Sequence, residues 1–220
     1  MKRISFIVIL LLLSVILLAG CKGQKEEASV SQKEEQVSPQ EEVQPKALSG
    51  KKVVMIISPE NFRDEELVVP QNILTQQGAS VKIASQSMQI CKGMLDARVN
   101  PDMLISDIKP DQWDALILIG GPGSKIYWED ASVHAILRNA VKQDKIIGAI
   151  CLAPVTCANA GILAGRKATV FETEASRLKD KGAEYTGASV QRDGKIITAS
   201  GPPAAKEFGE AIASALKEGL

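Results

Sequence analysis

Two cysteines stand six residues apart in KIIGAICLAPVTCANAG, residues 145–161, where an aliphatic run gives way to a proline-started segment. Thiols in that setting can hold a metal, close a disulfide, attack an electrophile or pack. Zinc fails on ligand supply. Cys151 and Cys157 have no second cysteine pair to join, and the single histidine, His134, falls inside a helical pattern as a partly exposed residue. A disulfide between the two needs α-carbons within about 7 Å, whereas six helical residues rise roughly 9 Å. Cys157, one turn inside a helix of small residues, reads as packing. Cys151 differs by position, because a side chain between a parallel strand and a helix is lifted to the top edge of the sheet. Residues 148–154, GAICLAP, can build such a nucleophile elbow, and helix N–H groups beneath it would pull the thiol below its free value of about 8.5. The residues alone leave two readings open, a nucleophile and a buried packing cysteine.

The surrounding pattern supplies the elements that would position this thiol. Aliphatic runs at 53–57, 81–84, 115–119 and 146–150 read as strands, and 64–77, 132–142, 153–160 and 203–217 as helices. Residues 189–191 and 196–199 flank Arg192-Asp193-Gly194, a hairpin turn. Residues 89–107 are irregular, and Cys91 within them has no assigned role. Continuous aliphatic strands separated by helices predict an α/β fold with a mostly parallel sheet covered on both faces. Ligands bind such sheets beyond the carboxyl ends of the strands, where the turn after Ile57, the glycines of 120–123 and Cys151 should converge.

The chain has 220 residues, with 26 basic and 26 acidic side chains. A balanced domain has no electrostatic footprint for nucleic acid, and three domain thiols are too few and too odd in number for a disulfide scaffold. Residues 1–20 place Lys2 and Arg3 before an aliphatic run that ends Leu18-Ala19-Gly20-Cys21. This resembles a bacterial lipoprotein signal peptide, with cleavage before Cys21 and lipidation of its sulfur. Residues 21–50, rich in Glu, Gln, Lys and Ser, read as a disordered spacer, and 51–220 as one domain. The expected location is the bacterial cell envelope, lipid-anchored and extracytoplasmic, on the periplasmic face or the cell surface.

Four segments of the domain, in order, resemble the ThiJ/PfpI family: DEELVVP at 64–70, DALILIGG at 114–121, AICLAP at 149–154 and TASGP at 198–202. The resemblance implies a flavodoxin-like three-layer sandwich, usually a homodimer, with Cys151 as the reactive residue. Glu66 would be its partner carboxyl, protonated and donating a hydrogen bond to a sulfur ionised near neutral pH. Asp64 and Glu65 read as first-turn acids favoured by the helix dipole. The N–H groups of Gly121 and Leu152 would form an oxyanion hole, and Gly120, Phe171, Gly201 and Pro202 would shape the pocket. Two family histidines are replaced, by Leu152 directly after the nucleophile and by Phe171 about twenty residues on, which leaves a cysteine peptidase without its base. What the resemblance then implies is a cofactor-free Cys–Glu enzyme, with no metal, acting on small aldehydes or reactive dicarbonyls in the manner of a glyoxalase or deglycase. The alternative is a redox-sensing or protein-protective module without turnover.

Overall fold

Runs of valine, isoleucine and leucine too continuous to leave one face wet build the centre of the fold. The computed structural model describes residues 46–219. The signal segment, Cys21 and residues 22–45 of the spacer lie outside the described residues. Residues 46–50, read from the sequence as the end of that spacer, form a turn in which Leu48 is fully buried and its N–H bonds the Gln77 carbonyl at 2.8 Å. Packing therefore starts a few residues before Lys51. Among the described residues no helix is long and apolar enough to cross a membrane.

In chain order the strands are β1 (Lys52–Ile56), β2 (Glu60–Phe62), β3 (Ser80–Ser85), β4 (Cys91–Gly93), β5 (Arg98–Val99), β6 (Met103–Leu104), β7 (Ala115–Leu118), β8 (Ile146–Ile150), β9 (Lys167–Ala168), β10 (Glu184–Tyr185), β11 (Val190–Asp193) and β12 (Ile196–Ala199). The helices are α1 (Asp64–Gln76), α2 (Ala131–Lys142), α3 (Pro154–Asn159), α4 (Ala175–Asp180) and α5 (Ala205–Glu218). Seven strands form the central sheet in the order β11-β12-β8-β7-β1-β3-β6. All its pairings are parallel except that of the edge strand β11, which returns antiparallel along β12.

Successive side chains of a strand point to opposite faces, and here both faces are dry. Val53, Met55, Ala115 and Ile117 join one core with Leu67 and Leu74 of α1 and Phe208 and Ile212 of α5. Val54, Ile56, Leu116 and Leu118 join a second core with Val133 and Leu137 of α2 and Val155 and Cys157 of α3. The result is the mostly parallel sheet covered on both faces that the strand pattern predicts, in the three-layer, flavodoxin-like α/β sandwich that the family resemblance implies. Within the irregular stretch at 89–107, β4 and β5 join β2 in a small separate sheet, and β6 adds to the edge of the central sheet. Pro70 lies inside α1, where its missing N–H leaves the Glu66 carbonyl without its usual helical partner.

Candidate active site

The carboxyl ends of β1, β7 and β8 bring three turns together. Arg63 caps α1 and its N–H donates to the Gly120 carbonyl at 3.1 Å, which locks the helix start onto the glycine turn after β7. One turn later Glu66 faces inward and is fully buried. Its Oε2 accepts from the Gly120 N–H at 3.1 Å, while Oε1 is buried without a hydrogen-bond partner. Gly120 permits this approach. A Cβ there would lie 2.6 Å from the Cys151 Cβ and 2.7 Å from Glu66 Oε2. Gly121 adopts φ +90, and a side chain on it would meet the Arg63 nitrogen at 2.6 Å.

Cys151 itself has φ +61, a left-handed conformation that costs a non-glycine residue energy and persists only where the surroundings impose it. Here they do. The Cys151 N–H donates to Ala199 O at 2.9 Å, and its carbonyl accepts from the Phe171 N–H at 2.9 Å. The Trp128 indole N–H holds the next carbonyl, that of Leu152, at 3.0 Å. This is the elbow expected at the end of β8. The Cys151 thiol and the Glu66 carboxyl are neighbours across Gly120, close enough that each perturbs the other's ionisation, and the N–H groups of Gly121 and Leu152 favour negative charge on the sulfur.

Burial pushes Glu66 up from 4.5 to about 7, against the pull of the neighbouring Cys151 thiol, the Gly120 N–H and the Arg63 charge. Burial also pushes the Cys151 thiol up to about 12, followed by repulsion from an ionised Glu66; the N–H groups of Gly121 and Leu152 oppose the rise without cancelling it. The thiolate expected from the sequence is thus corrected. The elbow's backbone donors are present, but desolvation and the neighbouring acid outweigh them. At neutral pH the pair is a thiol beside a carboxyl that is close to its own midpoint.

The sulfur opens onto a cavity of about 200 Å³. Gly121, Leu152, Phe171 and Pro202 line it, as expected. Gly120 lies beneath, against Cys151 and Glu66, and Gly201 lies under the Phe171 ring, 3.3 Å from where its Cβ would stand. Arg63, Met94 and Pro122 complete the lining, and sequence reasoning missed all three. Asp64 and Glu65 are more than dipole-favoured acids. Asp64 is buried and accepts from the Leu95 and Ala97 N–H groups at 2.9 and 2.8 Å, clamping the loop that carries Met94. Glu65 pairs with Arg63, Nε to Oε2 at 2.8 Å and Nη2 to Oε1 at 2.9 Å.

The other candidates stay apart from this site. Cys157 is fully buried on α3 and Cys91 on β4. His134 is buried on α2 rather than partly exposed, and its Nε2 lies 2.9 Å from the Trp128 carbonyl.

Residues 51–215 match the model of the DJ-1/PfpI family. The chain belongs to the DJ-1/PfpI family. A glutathione-independent glyoxalase of Caenorhabditis elegans is 30% identical over 167 residues, 76% of this chain and 89% of the relative. A deglycase of Thermococcus kodakarensis is 32% identical over 149 residues, 68% of this chain and 90% of the relative. Among solved structures, a ThiJ/PfpI domain protein of Brachyspira murdochii superposes with a TM-score of 0.75 at 28% identity, covering 77% of this chain and 99% of that one. Drosophila melanogaster DJ-1beta superposes with a TM-score of 0.71 at 28% identity, covering 76% and 90%.

Proposed function

We propose that this chain is a cofactor-free Cys–Glu enzyme that converts small reactive dicarbonyls, as a glyoxalase or deglycase does. The observation that carries the reading is the fully buried Glu66 carboxyl set against Cys151 across Gly120, beside a small apolar cavity. Relatives named as a glyoxalase and as deglycases support it. A cavity of about 200 Å³ has room for a few small-molecule atoms, given that a liquid water takes about 30 Å³.

A thiol held near 12 cannot wait as a thiolate, so it must lose its proton as it reacts. Glu66, with a midpoint near 7, is the base poised to take that proton. Sulfur adds to the aldehyde carbon of methylglyoxal, and the S–H proton passes to Glu66 and from it to the former carbonyl oxygen, so a hemithioacetal forms and Glu66 is again a carboxylate. Glu66 then carries a proton from that carbon to the neighbouring one, leaving a thioester that water hydrolyses to lactate and free thiol. The Gly121 and Leu152 N–H groups stabilise negative charge as it develops beside them. Redox sensing takes second place, because oxidation needs a populated thiolate. A peptidase would need an imidazole, and no histidine lines the cavity.

The same reading places the domain on the extracytoplasmic side of a bacterial membrane, tethered through a lipid on Cys21, and pairs it with a second copy as a homodimer. Loss of radiolabelled lipid in Cys21→Ala tests the tether, and sedimentation of the purified domain tests the pairing. The catalytic claim is tested by supplying methylglyoxal to purified protein and measuring lactate. Wild type should form it and Cys151→Ser should not; full activity in Cys151→Ser would exclude the mechanism.

A further inference from the structure

Among the described residues whose side chains line the cavity, Arg63 is the only charged one; the others include Met94, Pro122, Leu152, Phe171 and Pro202. A lone cation beside apolar walls is an orienting group for an anionic ligand. Its position is built. The Arg63 backbone is bonded to Gly120, and Glu65 holds Nε and Nη2 of the guanidinium from the solvent side, where Glu65 itself is 38% exposed. A guanidinium has five N–H donors, and the pairing with Glu65 engages Nε and Nη2 only, so Nη1 stays outside it. Glu65 does not cancel the charge where it matters: at Glu66 the pull of Arg63 exceeds the push of Glu65.

We propose that Arg63 is the specificity-determining residue of this pocket, and that the substrates are small electrophiles carrying a carboxylate. This rests on the dicarbonyl reading and narrows it to α-oxoaldehydes with an acidic tail. The aldehyde carbon meets the Cys151 sulfur while the carboxylate pairs with the free edge of the guanidinium. For dioxovalerate, an α-oxoaldehyde with a carboxylate at the far end of its chain, the reaction consumes one water. The aldehyde carbon is oxidised to a second carboxylate, the adjacent ketone is reduced to an alcohol, and one proton is released. The product is the hydroxydicarboxylate.

The test separates the anion site from turnover. Full-length protein is alkylated with iodoacetate and with iodoacetamide, each forming an S–C bond at Cys151 with loss of iodide and of the thiol proton. Cys151 labelling is followed by peptide mass spectrometry. Relative to the same rate ratio for free cysteine, wild type should favour iodoacetate by about tenfold, the scale of one charge-assisted hydrogen bond. Arg63→Gln should return the ratio to that of free cysteine, and Arg63→Lys should keep part of the preference. A wild-type ratio no higher than that of free cysteine overturns the proposal even if the variants fail to fold, as does an unchanged ratio in a folded Arg63→Gln. In turnover, kcat/KM for dioxovalerate should exceed that for methylglyoxal by a similar factor in wild type and lose this lead in Arg63→Gln. Equal values in wild type overturn the substrate assignment. Turnover of neither dicarbonyl, with the iodoacetate preference intact, refutes the glyoxalase reading and upholds the anion site.

Discussion

Replacing Glu66 by glutamine keeps the shape of a fully buried side chain and removes its titration, so the two proteins should diverge with pH in a calculable way. Burial lifts the carboxyl from 4.5 to about 7. Below about 4.5 it is protonated in both the folded and the unfolded chain, and its contribution to stability is complete. As pH rises the unfolded chain releases its proton first, so the unfolded state binds fewer protons and stability falls until pH passes the folded value. At about 1.4 kcal/mol per unit of pKa difference, native protein should lose roughly 2.5 kcal/mol between about pH 5 and about pH 8 through this one group. Glutamine loses nothing over that range. Urea unfolding followed by circular dichroism, with equal slopes checked for both proteins, should show the difference in unfolding free energy shifting by that amount in favour of Glu66→Gln. Cys151 does not blur the comparison, because a thiol held near 12 stays protonated through this window. A difference that is flat with pH, or that moves in favour of the native protein, would refute the buried-acid reasoning.

Further outcomes follow from the same geometry. Because Glu66 must be ionised to act as base, kcat/KM for methylglyoxal should fall as pH drops below about 7; a rate independent of pH there would remove Glu66 from the mechanism. Gly120→Ala places a methyl 2.6 Å from the Cys151 Cβ and the Ile150 carbonyl, which should cost about 1–3 kcal/mol by overpacking, read as a lowered melting temperature with loss of lactate formation. Asp64→Ala removes both acceptors of the Leu95 and Ala97 amides. Those two amides should exchange with deuterium faster, and KM should rise more than kcat falls, since Met94 forms part of the cavity wall.

Much of the scaffold was legible because it follows from local pattern. Continuous aliphatic runs can only be strands buried on both faces, and α1, α2, α3 and α5 sit where the periodicity put them. Gly194, with φ +60, turns β11 into β12 as the Asp-Gly signal suggested. The elbow was legible because a cysteine between a strand and a proline-started helix has few other places to go. What stayed hidden depends on contacts between distant segments. Arg63 precedes a helix, and nothing in its neighbours says that it borders the cavity of a cysteine 88 residues away. Met94 reaches the site only because Asp64 holds its loop, and an acid in a first helical turn looks the same whether it serves the dipole or a loop. The charge state was misjudged for a related reason. Backbone donors at the elbow are local and visible, whereas the desolvation that outweighs them comes from the whole fold.

The proton shared by Cys151 and Glu66 is the centre of the account, and it can be observed directly. In protein labelled with carbon-13 at glutamate side-chain carboxyls, the Glu66 resonance is identified by its absence from Glu66→Gln and followed through a pH titration. It should titrate with a midpoint near 7. A midpoint at the ordinary glutamate value of 4.5, or no titration at all, would contradict a buried carboxyl acting as the base for the Cys151 thiol.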